Sequence, residues 1–272
     1  MGRLTILQRC MLTLAVFLVI GPFFWIGMTS FKYQVAIYQG SWIFEPTLSN
    51  YNDVLFSLRS QFRENLLNSI VVAMASTMIV LVLGTLCAYS LHRFAWPNWV
   101  SKAVIGWMLF FHMIPVMTLV GPWYLIFRKL GLYDSYIGLV ATHVTVNLPM
   151  TVWMMMAFFK EVPIEMEEAA AIDGCSHIQA FIYVVLPVVV PGLIAAGVLA
   201  FVFSWNEFSI ALNLTSRLTA TVPVGVSKFA QEFEVQHGQM AAASILATIP
   251  AILIMFFGQK FVVQGLTLGS VK

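Results

Sequence analysis

Residues 161–191 read EVPIEMEEAAAIDGCSHIQAFIYVVLPVVVP, and they form the longest densely acidic interruption in an otherwise apolar chain. Pro163 fits the first turn of a helix. Glu165, Glu167 and Glu168 follow it, where carboxylates complement the open N–H groups of a helix start. At helical spacing Glu161, Glu165 and Glu168 share one face, with Met166, Ala169, Ala170 and Asp173 on the adjacent one, a small-residue surface beside a charged edge. Gly174 suits the left-handed residue that closes a helix. Ser176 with Gln179 three residues on is a capping-box pattern, so a second helix starts there, runs through Phe181 and Val184 and stops before Pro187. The expectation is helix, glycine turn, helix: an elbow across a membrane surface. Periodicity alone also describes an ordinary amphipathic interfacial loop.

The surroundings of this stretch make it a loop between membrane spans. The chain has 272 residues, 60% hydrophobic and 10% charged, whereas a soluble domain carries about 25% charged residues. It reads as an integral, all-α membrane protein. A net charge of +2 with scattered lysines and arginines excludes a nucleic-acid surface. Cys10, Cys87 and Cys175 are an odd count at distant positions, which reads as small buried hydrophobes rather than a disulfide framework.

Six segments are long enough to cross about 30 Å of hydrocarbon: approximately 11–31, 66–90, 103–126, 137–159, 188–212 and 240–262. The first follows Arg3 and Arg9 like a signal peptide but runs long and has no small-x-small cleavage site, so it reads as a retained anchor. An even number of spans puts both termini on one side. Residues 32–65 and 213–239 read as external loops, and HRFAWPNW from His92 as a tight turn with Trp96 and Trp99 at headgroup level. The third span contains FFHMIPV from Phe110, and the fourth HVTVNLP from His143. Each carries a proline that breaks the hydrogen-bond ladder, tolerated where protein or a water-filled cavity faces the backbone. The organisation expected is an anchor span with an external loop over 1–65 and a core domain of five spans over 66–272, with the loop 160–187 inside it. No fixed-period repeat occurs, and the lysines and arginines near span ends divide seven to seven between the two sides, so charge leaves orientation open.

The spacing within the loop carries a resemblance. Glu168-Ala169-Ala170, three residues, Gly174, nine residues, then Val184-x-Leu186-Pro187 resembles the EAA loop of the membrane subunits of ABC importers. Val184 stands where that family usually has isoleucine. The likeness extends to LRSQFRENLLNSI from Leu58, LGLYDSYIGL from Leu130, NLPMTVWMM from Asn147, WNEF from Trp205 and the tail QGLTLGSVK from Gln264. Together these are similar to the second permease of carbohydrate importers of the maltose and glycerol-phosphate type.

The resemblance implies a type I, MetI-like transmembrane domain of six helices in a bacterial or archaeal cytoplasmic membrane, with both termini cytoplasmic. It implies a heterodimer with a second permease, a dimer of ATPase subunits that holds ATP and Mg²⁺, an extracytoplasmic solute-binding protein, and a sugar or polyol as cargo. It further implies that Glu165, Glu168, Ala169, Ala170, Asp173, Gly174, Leu186 and Pro187 couple the chain to the ATPase.

The residues themselves bound what else the chain does. No G-x-x-x-x-G-K-[ST] occurs, so nucleotide binds a partner, and the chain has no cofactor of its own. The five histidines are nowhere at i, i+4 spacing, no Cys-x-x-Cys occurs, and no nucleophile–base set is visible, so neither metal nor catalytic chemistry is expected. His112, His143 and Asn147 read either as lining a translocation path or as polar groups satisfied by a neighbouring helix. Asn206 and Glu207 read either as path residues or as structural and interface groups. An ion-driven secondary transporter, which would favour paired intramembrane carboxylates and an internal repeat, is the rival class. An amino-acid or peptide permease is the rival within the importers.

Overall fold

The computed structural model describes residues 5–230 and 235–267, the side chains of 264–267 excepted; Arg3 and the end of the tail from Leu268 lie outside them. The described residues form helices and no strand. In order these are α1 (Ile6–Ser30), α2 (Gln34–Tyr38), α3 (Ser49–Phe56), α4 (Phe62–Arg93), α5 (Asn98–Met113), α6 (Val116–Leu130), α7 (Tyr136–Lys160), α8 (Glu165–Ile172) and α9 (His177–Ala180). One π-helical segment, Phe181–Val185, then leads into α10 (Leu186–Val188), α11 (Val190–Asn206), α12 (Ser209–Leu214), α13 (Val222–Lys228) and α14 (His237–Thr267).

Among the described residues four helices, α1, α4, α7 and α14, are by themselves long and apolar enough to cross a membrane, and two bent pairs bring the number to six when each is counted as one span. The third expected span, 103–126, is not one helix: α5 and α6 meet at 97°. Ile114 has extended geometry (φ −72°, ψ 124°), because the ring of Pro115 clashes with an α-helical residue before it. Pro149 produces no such break; α7 runs through it, and the Thr151 hydroxyl donates to the Asn147 carbonyl oxygen at 3.1 Å. The fifth span is also revised. α11 ends at Asn206 rather than near 212, and α12 is a separate helix.

The loops hold structure that irregular composition concealed. Residues 32–65 contain α2 and α3, and residues 213–239 contain α13.

The chain divides into two compact units, Met1–Leu66 with Val222–Ile249, and Leu67–Thr221 with Pro250–Lys272. In the first, Val54, Phe62, Val222, Ala242 and Ala243 make a small buried core. There the Asn50 amide donates to the carbonyl oxygens of Ser30 and Lys32, each at 2.9 Å, and so satisfies groups left open at the end of α1.

The second unit has the larger core, centred on Tyr89, Val152, Met155, Phe159, Val185, Ala195 and Ala196. Lipid tails are as apolar as leucine, so close packing rather than hydrophobic exclusion joins spans. Gly192 of α11 shows this, since a Cβ there would run into the Phe158 ring of α7. Buried polar groups add specific links: Ser76 and Ser204 are 3.0 Å apart, and Asn147 donates to Ser204 Oγ at 3.0 Å.

At the start of α7, Asp134 holds a left-handed backbone (φ 52°) and ties down residues 216–219 through hydrogen bonds from their four backbone N–H groups. Beside it Tyr136 donates to Asn68 Oδ1 at 2.5 Å, and Asn68 donates to the carbonyl oxygens of Leu218 and Ala220.

Candidate functional site

At the other end of α7 lies the acidic elbow. Pro163 stands just before α8 rather than in its first turn, and Glu165, Glu167 and Glu168 occupy that turn. Gly174 has φ +89°, with the Cys175 N–H on the Ala170 carbonyl (2.9 Å) and the Gly174 N–H on that of Ala171 (3.1 Å). That is the six-to-one and five-to-two pairing of a Schellman closure. The capping box is formed: Ser176 N–H donates to Gln179 Oε1 at 2.8 Å, and Gln179 N–H to Ser176 Oγ at 3.4 Å.

The second helix does not stop before Pro187. It widens into a π turn, in which Leu186 N–H reaches the Phe181 carbonyl, and continues to Val188. The chain then bends by 74° into α11. A π turn re-spaces the ladder around a residue that cannot donate, and such turns collect at functional sites.

The elbow's side chains sort into outward and inward sets. Glu165, Glu168, Ala169, Asp173 and Gly174 are exposed. Ala170 is buried at 6% exposure, so its small side chain serves the elbow's inner packing rather than its outer surface. Leu186 is half-buried and Pro187 exposed. Ile172 and Ile178, at 87% and 71% exposure, are large apolar side chains on the outer surface.

Glu167 was absent from the residues expected to matter, and it turns inward. Its carboxylate pairs with Arg93 at 2.5 Å and accepts from the Tyr89 hydroxyl at 2.6 Å. Arg93 also donates to the Val162 carbonyl at 2.7 Å, in the link between α7 and α8. The Tyr89 ring packs on Phe181, centroids 4.5 Å apart, and on Phe159 at 5.6 Å. The signal for this was present in sequence: Tyr89 and Arg93 are four residues apart, so they share a face at the end of α4.

Deeper in the same unit a cavity of about 250 Å³ gathers His112, His143, Asn147 and Glu207, four of the five polar residues singled out in the spans. Ser204 joins them. His143 Nε2 lies 3.8 Å from Glu207 Oε2, with the histidine side chain 1% exposed. Neither ring nitrogen of His143 has a hydrogen-bond partner among the described residues. Glu207 also accepts from the backbone N–H groups of Ile210 (2.7 Å) and Ala211 (3.0 Å), capping α12. Asn206 is not part of the cavity; it is exposed, and its amide donates to the Val202 carbonyl.

Residues 80–268 match the family described as binding-protein-dependent transport system inner membrane component. The chain belongs to that family. This permease is 36% identical over 264 residues to the trehalose transport system permease protein SugB of Mycobacterium tuberculosis, covering 96% of this chain and 95% of that protein. It is 32% identical over 278 residues to the trehalose/maltose transport system permease protein MalG of Thermococcus litoralis, with 99% of each covered. In fold it matches a chain of a bacterial ABC transporter involved in the import of the acidic polysaccharide alginate, with TM-score 0.80 at 20% identity over 96% of this chain and 99% of that one. The permease is therefore an all-α, MetI-like membrane domain of an ABC importer, an inner-membrane component whose relatives are sugar permeases, as the EAA-type spacing and the WNEF and LGLYDSYIGL stretches anticipated.

Proposed function

We propose that this permease forms half of a translocation path for a sugar or polyol and is driven through the elbow at 160–187. The observation that carries the reading is the elbow itself: a Schellman-closed, box-capped turn with an exposed face of Glu165, Glu168, Ala169 and Asp173. A turn fixed by its own backbone hydrogen bonds transmits a push, where a loose loop would absorb it.

In this reading the elbow docks in a cleft of an ATPase subunit. ATP and Mg²⁺ reside on that partner dimer, which fixes the elbow's side and both termini as cytoplasmic. The remaining partners are a second permease and an extracytoplasmic solute-binding protein. Residues 1–65 supply an anchor span and external loop, and 66–272 the core permease domain. His112, His143, Asn147 and Glu207 line this subunit's share of the path, while Asn206 supports the end of α11. The carbohydrate class is supported by relatives named for trehalose and trehalose/maltose transport that match almost end to end.

The test is Gly174→Asp in the reconstituted complex. Its Cβ would meet nothing within 4 Å, so the substitution acts through backbone strain at φ +89° and added charge. Binding-protein-stimulated ATP hydrolysis and uptake should both be lost with the complex intact. Wild-type coupling in that variant would refute the elbow mechanism.

A further inference from the structure

We infer that Arg93, Glu167 and Tyr89 form the joint through which displacement of the elbow moves α4, so that these are positioning residues for transport. The inference rests on the elbow reading above and adds the route that motion takes out of it. Covalently, α8 continues only α7 on one side and α9 on the other. The Arg93–Glu167 pair adds a third connection, to the end of a 32-residue helix that is distant in sequence.

Three features make this connection stiff. The pair is largely withdrawn from solvent, with side-chain exposures of 9% and 15%, so screening is weak and the partners hold each other in place. Glu167 is engaged through both oxygens, one by Arg93 and the other by the Tyr89 hydroxyl. Arg93 is held in turn by the Val162 carbonyl. The Tyr89 ring, wedged against Phe159 and Phe181, links the joint to α7 and to the π turn beyond the elbow. A push on the exposed face of α8 therefore reaches α4, α7 and the π segment together. Glu168, next in sequence but exposed, is free to meet a partner. Two adjacent glutamates divide the work, one gripping outward and one inward.

The test uses the complete transporter with Cys10, Cys87 and Cys175 replaced by alanine. Spin labels sit at Ala171→Cys on α8 and Leu86→Cys on α4, both exposed, and pulsed electron–electron distances are compared without nucleotide and after trapping with ATP and vanadate. With the native joint the distance is unchanged by trapping, because the two helices travel together. In Glu167→Gln and in Tyr89→Phe it shifts and broadens on trapping, and in the exchange Arg93→Glu with Glu167→Arg it returns toward the native behaviour. A distance that stays fixed on trapping in Glu167→Gln, with the complex assembled, overturns the joint. A pair with only a static structural role would lower the melting temperature equally in both states and leave that distance alone, and this also overturns it. In parallel, Asp173→Cys is cross-linked to the ATPase subunit. If the cross-link forms while the joint result is negative, the elbow reading stands and the joint falls; if no cross-link forms, the elbow reading falls first.

Discussion

The carboxylate of Asp134 accepts from Thr219 twice, from its hydroxyl at 2.8 Å and its backbone N–H at 3.1 Å, across 85 residues of chain. Burial pushes this carboxyl up, but the hydrogen bonds from Ser216, Leu218 and Thr219 outweigh it and hold it below its ordinary value of 3.8. A group depressed on folding contributes stability that is complete above its unfolded pKa and lost as pH falls through the folded one. Thermal unfolding of the detergent-solubilised complex should therefore show an acid limb below the ordinary carboxylate range that is flatter in Asp134→Asn. Asp134→Ala should cost about 2–3 kcal/mol at neutral pH, since several donors lose a charged acceptor.

The cavity residues separate transport from folding. Glu207→Gln keeps an acceptor for the start of α12 and replaces the carboxyl group facing His143; Glu207→Ala leaves the N–H groups of Ile210 and Ala211 open. The alanine variant should lose about 1–3 kcal/mol more stability than the glutamine variant. On the path reading the glutamine variant should transport poorly, measured as uptake into proteoliposomes of the radiolabelled solute that the cognate binding protein retains. Wild-type uptake by Glu207→Gln would confine Glu207 to capping.

Gly192→Leu tests the close contact of α11 with α7. The new side chain must displace the Phe158 ring in a packed core, at a cost of about 1–3 kcal/mol. The melting temperature should fall, and pairing it with Phe158→Ala should recover part of the loss.

Ser176→Ala removes one half of the capping box. The expected penalty is about 1 kcal/mol, confined to the elbow, so hydrogen exchange should quicken at Gln179 and its neighbours while protection in α7 stays unchanged.

How much of this was legible in the chain follows from what each feature depends on. Gly174 and the Ser176–Gln179 box were readable because a helix end is a local event, decided by the residues that make it. The split of Glu167 from Glu168 was not: both carry the same charge in the same first turn, and only the approach of α4 decides which faces inward. Pro115 and Pro149 look alike in sequence, yet one breaks its helix and the other lies buried inside α7. Ala170 likewise shows that it faces inward only in the folded elbow. In the candidate cavity, His112, His143, Asn147 and Glu207 were identified as costly intramembrane polar groups, but Ser204, a common small residue, gave no such signal. Asn206, beside Glu207 in sequence, points elsewhere because α11 ends between them and Glu207 has extended backbone (φ −68°, ψ 121°).

The bend at Pro115 bears on what can lie against this protein. At 1.5 Å per residue α5 and α6 are each about 22–24 Å long, short of about 30 Å of hydrocarbon, and the half-exposed Ile114 with exposed Pro115 lies between them. Part of the backbone at the break is paired locally: the Ile114 N–H donates to the Phe111 carbonyl, and the Pro115 carbonyl accepts from the Thr118 N–H and hydroxyl. Non-helical backbone at membrane depth is tolerated only against protein or a water-filled cavity, so the same kink that shapes the interior also restricts what can lie beside it.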